Sequence, residues 1–242
     1  TRTDSSAASD VYKRQIVKAR EIMKCDLYQV YGLTETTGAI TMMMPDDHNP
    51  ERGKLRSCGK ALKGVELKVI DDDGNDLETG EIGEVISKSK LNMKGYWNKP
   101  DATKESIVDG WFYSGDAGFF DEEGFLFIHD RVKDMIVSGG ENIYPAEVEN
   151  ALMSHDEILD AAVVGVPDEK WGESVKGFVV IGESSLSEEE IISYTRSQIA
   201  AYKCPKSIEF IKELPRNPSG KILRRELRDP YWEGIDRKVS GN

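Results

Sequence analysis

From Val65 to Val69 the apolar residues Val65, Leu67 and Val69 alternate with Glu66 and Lys68, and the acidic turn DDDG follows directly. A period of two places the apolar side chains on one face of an extended chain, so the segment reads as a half-buried strand that needs sheet partners. Suitable partners follow: EIGEVISKS reads as the next strand, and GWFYSGD, the turn DEEG and FLFIHDR make a further hairpin. Residues 55–130 are therefore expected to be mostly β.

After Arg131 the texture changes. SGGENIYP is a Gly and Pro loop, and Pro145 stands where a helix can start, with Val148, Ala151 and Leu152 on one stripe. AAVVGV and KGFVVI are short Val-rich runs suited to buried strands, and IEFI makes another. Ser187 and Glu190 form a capping box ahead of a helix containing Ile192 and Ile199. We place a domain boundary at about 131–134. A helix is expected across QIVKAREIMK, whereas TRTDSSAASD is small, polar and aperiodic, with no targeting pattern. Residues 1–15 are expected to be unstructured and foreign to the fold. With no initiating Met, the chain reads as a piece of a longer protein.

A formal charge of -12 across 242 residues works against sequence-independent nucleic-acid binding, because phosphate contacts need clustered Lys and Arg. Lys221, Arg224, Arg225 and Arg228 are a local exception, either a solvated helix face or an anion site, and we take the former for the arginines. No apolar run approaches the ~18 residues of a membrane span. Cys25, Cys58 and Cys204 lie far apart without metal-type spacing, which fits a reduced, cytoplasmic compartment. His48, His129 and His155 are isolated and are assigned no chemistry.

Several segments combine residue types that suit nucleotide chemistry. YGLTETTG at Tyr31–Gly38 mixes glycines and hydroxyls, which let donors approach a phosphate, with one carboxylate able to hold Mg²⁺. The same residues also suit an ordinary polar strand-to-helix turn, and the motif alone does not separate the two. Asp116 in YSGD suits two vicinal ribose hydroxyls, and Arg131 in HDRVKD adds donors in a fixed fork. Gly139 and Gly140 form either a tight turn or a surface that lets backbone approach a slender ligand. Lys221, in PRNPSGK, follows two prolines and a glycine, so it stands on a stiffened loop that can present a point charge.

The order YGLTETTG, GWFYSGD, DRVKDMIVSGGENIYPAEVE, LPRNPSGKILRREL resembles the adenylate-forming (AMP-binding) enzyme superfamily from about Cys25 to Leu227. That superfamily includes acyl-CoA synthetases, luciferases and peptide-synthetase adenylation domains, and the acyl-CoA synthetases are the nearest match. The resemblance implies a mixed α/β (α+β) chain. Residues 16–130 would be the C-terminal part of the large domain, mostly β and like a distorted barrel. Residues 131–242 would be a small mobile C-terminal lid. It further implies that Tyr31 stacks on adenine, Thr34 touches the α-phosphate, Glu35 holds Mg²⁺, and Asp116 and Arg131 bind the nucleotide. Lys133 matches the hinge position and Lys221 the lysine required for adenylation. Gly139, Gly140 and Trp171 would border the pantetheine passage, with Tyr202 and Lys203 near the CoA nucleotide. Relatives often carry a basic residue where Cys204 stands, which leaves Lys203 and Lys206 to compensate.

The implied reaction joins a carboxylic acid, expected to be a fatty acid, to ATP as an acyl-adenylate, and then to CoA as a thioester. ATP, CoA and Mg²⁺ are the expected cosubstrates and cofactor. The family's Gly, Ser and Thr-rich phosphate loop should precede YGLTE and is not present here. We therefore expect the chain to need a missing N-terminal part of the same enzyme and to be inactive alone. The alternatives are an adenylation enzyme with a non-CoA acceptor, a luciferase-like enzyme, and a non-catalytic nucleotide- or partner-binding remnant.

Overall fold

The alternation at Val65 does form a strand, and its partners come from the segments with the same texture. The structure, a computed structural model, describes residues 16–182, 185–218 and 220–235. The expectation for residues 1–15 lies outside them. Contacts divide the chain into two units, one ending at Val132 and the other beginning at Lys133.

The first unit opens with helix α1 (residues 16–23) and the antiparallel hairpin β1 (Gln29–Leu33) and β2 (Gly38–Met43), to which β3 (Lys60–Ala61) adds. A second sheet contains β4 (Val65–Ile70), β5 (Gly83–Ser89), helix α2 (Pro100–Ser106) in the following connection, β6 (Ile107–Val108), β7 (Trp111–Phe120) and β8 (Leu126–Arg131). Its order is β4-β5-β7-β6, with β8 also on β7. Buried Val69, Val85 and Leu126 collect Tyr31, Leu67, Leu77, Phe120 and Ile128 around them. The inward half of the alternating pattern is thus the core of this unit. The two sheets are joined at Gly59, whose carbonyl accepts from the Leu126 amide at 2.9 Å, while the Leu126 carbonyl accepts from the Cys58 amide at 2.7 Å.

The second unit holds the tight hairpin β9 (Ile136–Ser138) and β10 (Glu141–Ile143), helix α3 (Pro145–Met153), the long hairpin β11 (Ile158–Asp168) and β12 (Gly172–Ile181), helix α4 (Glu188–Gln198), β13 (Ser207–Phe210) and helix α5 (Arg224–Arg228). Sheet order is β10-β9-β12-β11, with β13 parallel to β12. Ser187 and Glu190 cap α4 reciprocally. Ala161, Val163, Val175 and Val179 pack with Val148, Leu152 and Ile191 of the helices, while Ala162, Val164 and Phe178 pack with Leu214, Ile222 and Leu227. Both faces of the β11–β12 hairpin are covered, which is why its sequence is continuously apolar rather than alternating.

Arg224 and Arg228 correct the expectation of a solvated helix face. Both side chains are mostly covered and paired with carboxylates, Arg224 with Glu149 and Asp134 and Arg228 with Asp134 and Asp229, while Arg225 alone lies open.

Candidate active site

YGLTETTG closes a hairpin rather than leading into a helix. Thr34–Thr36 form a 3-10 turn, and Thr37 takes left-handed backbone with φ 56°. Buried Thr36 Oγ1 accepts from the Leu33 amide at 2.9 Å and lies 2.7 Å from the Gly38 carbonyl oxygen, which locks the turn and leaves Thr34 exposed at its tip. Gly32 is obligatory because a Cβ there would stand 1.9 Å from the Gly38 carbonyl oxygen. Gly32→Ala is expected to destabilise the first unit by about 3 kcal/mol, since backbone on both strands must shift. Denaturant unfolding monitored by tryptophan fluorescence measures this, and an unchanged midpoint would refute it.

Asp116 lies opposite Arg131 in the β7–β8 register. Arg131 Nε meets Asp116 Oδ1 at 2.8 Å, and its Nη1 donates to the Ser114 carbonyl at 3.2 Å. The Tyr31 hydroxyl donates to Asp116 Oδ2 at 2.5 Å, so one carboxylate ties the first hairpin to the second sheet. Burial first, and the Asp116 charge second, hold the Tyr31 phenol above its ordinary pKa range, so it remains a donor. Burial also pushes the Glu84 carboxyl up, with the Gly115 amide at 2.8 Å pulling the other way and Asp116 reinforcing the rise. The Asp116 side chain is 8% exposed, whereas the Arg131 side chain is 43% exposed, so this site presents its cation to solvent and keeps its anion inside.

Glu35 follows the exposed Thr34. Its Oε1 accepts from the Tyr96 hydroxyl at 2.9 Å, and its carbonyl accepts from the Met93 amide at 2.6 Å. Oε2 has no hydrogen-bond partner among the described residues. Burial, and then the bond to Glu35, push the Tyr96 phenol up. Sequence reasoning did not single out Tyr96, although the aromatic pair in GYWNKP was visible. Among the described residues no group of three or more His, Cys, Asp or Glu converges. One carboxylate with one oxygen held and the other open fits Mg²⁺, which binds through one or two carboxylates plus substrate phosphates rather than in an all-protein cage.

In the second unit Gly139 and Gly140 are the two central residues of the β9–β10 turn, with φ 62° and 87°. Trp171 lies against this turn: its carbonyl accepts the Gly139 amide at 2.9 Å, and a Cβ on Gly139 would come within 2.6 Å of the indole. Tyr202 is exposed, and Lys203 is held by Glu147 at 2.7 Å. Lys206 pairs with Asp168 at 2.9 Å, so both lysines beside buried Cys204 already have carboxylate partners. Lys133 lies in the 3-10 turn Val132–Asp134. Lys221 is exposed on a turn whose backbone is bonded to Asn217 in both directions.

Residues 5–97 match the AMP-binding enzyme family and residues 147–221 the AMP-binding enzyme C-terminal domain. The chain is 44% identical to the fatty acid–[acyl-carrier-protein] ligase ScoC of Streptomyces coeruleorubidus, over 96% of its own length and 45% of that protein. It is 43% identical to the long-chain-fatty-acid–CoA ligase FadD13 of Mycobacterium tuberculosis, over 89% and 42%. Among solved structures it is similar to o-succinylbenzoate CoA synthetase from Bacillus subtilis in complex with the acyl-adenylate intermediate, with TM-score 0.80 and 39% identity, covering 90% of this chain and 44% of that one. The chain belongs to the AMP-binding, adenylate-forming enzyme superfamily. It spans less than half the length of the curated relatives it matches. Among the described residues no helix is long and apolar enough to cross a membrane.

Proposed function

We propose that the polypeptide carrying this chain activates a carboxylic acid, a fatty acid in the first instance, with ATP to give an acyl-adenylate and pyrophosphate, and then transfers the acyl group to a thiol. The observation that carries this reading is the Asp116 carboxylate held by Arg131 and by Tyr31, the latter on the hairpin whose tip bears Thr34 and Glu35. Asp116 takes the ribose hydroxyls, Arg131 adds donors to the nucleotide, and the Tyr31 ring lies against adenine. Thr34 contacts the α-phosphate. Glu35 holds Mg²⁺, which when bound neutralises charge on the phosphates.

The difficulty of the first half-reaction is that a carboxylate must approach an anionic phosphate, so positive charge must be supplied where the new bond forms. Lys221 supplies it from its turn. Lys133 is the hinge about which the second unit reorients between half-reactions. Gly139, Gly140 and Trp171 then guide the pantetheine arm of CoA, with Tyr202 and Lys203 near its nucleotide. The Lys203–Glu147 and Lys206–Asp168 pairs mean that phosphate binding there must compete with an existing carboxylate.

The test is carboxylate-dependent ATP–pyrophosphate exchange, followed by thioester formation with CoA. Exchange that no fatty acid stimulates would remove the fatty-acid reading. The 44% identity to a fatty acid–[acyl-carrier-protein] ligase favours a second reading of the acceptor, a thiol borne on a carrier protein. Offering both acceptors to preformed acyl-adenylate separates the two.

Tyr96→Phe removes the hydroxyl that orients Glu35. It is expected to raise the Mg²⁺ concentration for half-maximal exchange by about tenfold, as loss of a bond to a metal-binding carboxylate does. An unchanged Mg²⁺ dependence would separate Tyr96 from metal binding.

A further inference from the structure

We infer that Arg216 and Arg224 are positioning residues for Lys221, an inference that rests on reading Lys221 as the adenylation lysine. The backbone of the turn closes on itself. Lys221 N–H donates to Asn217 Oδ1 at 2.9 Å, Asn217 N–H donates to the Lys221 carbonyl at 2.9 Å, and Arg216 bridges Ile222. These bonds fix Lys221 relative to Asn217 but not relative to the sheet.

The two arginines tie the turn to the sheet. Arg216 reaches both ways, with Nη1 donating to the Gly220 carbonyl at 2.6 Å and Nη2 meeting Asp160 Oδ2 at 2.6 Å. Asp160 stands on β11, where its Oδ1 accepts the Ala161 amide at 3.1 Å. On the far side of the turn Arg224 grips Glu149 with two prongs, Nε to Oε1 at 2.9 Å and Nη2 to Oε2 at 2.6 Å. Glu149 Oε1 also accepts the Val163 amide at 2.9 Å. Both clamps therefore end on β11, at Asp160 and at Val163, and they flank Lys221 on either side in sequence. Between them Leu214 and Ile222 are packed on Ala162, Val164 and Phe178.

Arg224 and Arg228 also approach Asp134, at 3.7 and 3.6 Å, which couples α5 to the segment following Lys133. The lysine turn and the start of its unit are thus parts of one framework. Each arginine has a carboxylate partner, so these clamps set position while Lys221 is the charge presented. A flexible tip would deliver that charge over a range of positions, whereas stabilising a transition state needs it held to a fraction of an ångström.

Arg216 is the better probe, because its pair with Asp160 is partly exposed, at 42% and 30%, and contributes little to global stability. In the polypeptide carrying this chain, Arg216→Gln is expected to lower carboxylate-dependent ATP–pyrophosphate exchange by about tenfold. Thioester formation from supplied acyl-adenylate should stay within about twofold of the parent. Amide hydrogen exchange at Lys221 and Ile222 should speed up, with the β11 amides unchanged. Arg224→Gln should show the same split with a larger loss. If Lys221→Ala abolishes exchange while Arg216→Gln and Arg224→Gln leave it unchanged, the positioning role is wrong and the reading of Lys221 stands. If both half-reactions fall together with thermal stability, the arginines are merely structural and the inference fails. If Lys221→Ala spares exchange, the reading itself fails and the inference with it.

Discussion

Lys221→Ala is expected to reduce carboxylate-dependent ATP–pyrophosphate exchange by roughly 10³-fold while sparing thioester formation from supplied acyl-adenylate. The magnitude follows from removing one preorganised cation at a centre where two anions must meet, an effect comparable to loss of an oxyanion donor or a charge-stabilising arginine. The asymmetry is the sharper part, because in the proposed second half-reaction a thiol attacks the acyl carbonyl carbon and AMP leaves with its phosphate intact, so no anion has to approach phosphorus. Equal loss of the two half-reactions would remove the role assigned to Lys221. The substitution costs the fold little, since the side chain is exposed and its backbone bonds to Asn217 survive the change.

Asp116→Ala should have the second-largest effect, and it differs in kind. The carboxylate accepts from Tyr31 at 2.5 Å and meets Arg131 Nε at 2.8 Å, so its removal leaves a half-buried phenol and a guanidinium without their shared acceptor. A loss of about 2 kcal/mol in stability is expected; it is kept below the cost of breaking a fully buried ion pair because Arg131 can turn to water. If two ribose hydroxyls donate to this carboxylate, as proposed, its loss should also raise the KM for ATP by about a hundredfold. Exchange kinetics and denaturant unfolding on the same variant measure the two effects. A KM for ATP close to that of the parent would show that Asp116 serves only to join the two sheets.

Much of the local structure was legible because its causes are local. The Val65–Ile70 strand follows from two-residue alternation, and the β7–β8 hairpin from a Gly-containing turn between apolar runs. The α3 start follows from Pro145, and the α4 start from the Ser187 and Glu190 pair. The tight turn at Gly139 and Gly140 was one of the two readings of SGG, and its positive φ values are what adjacent glycines permit. Where the reading of the basic cluster went astray, the reason is distance. Arg224 finds Glu149 across 75 positions of sequence, so counting charges along one helix could not show that its charge is used inward. The hairpin at YGLTETTG was similarly hidden, because a polar turn does not announce whether the next element extends or coils.

The sequence by itself determined the family, because four motifs in order carry chemistry-bearing residues, and it determined which segments alternate and which are apolar throughout. Only the tertiary structure decided the partners. It brought Tyr31 to Asp116 across 85 positions and Tyr96 to Glu35 across 61, and it anchored the two sides of the Lys221 turn on one strand. The physical reason is that periodicity records which side of a segment is buried, whereas hydrogen bonds and ion pairs depend on which other segment the fold brings against it.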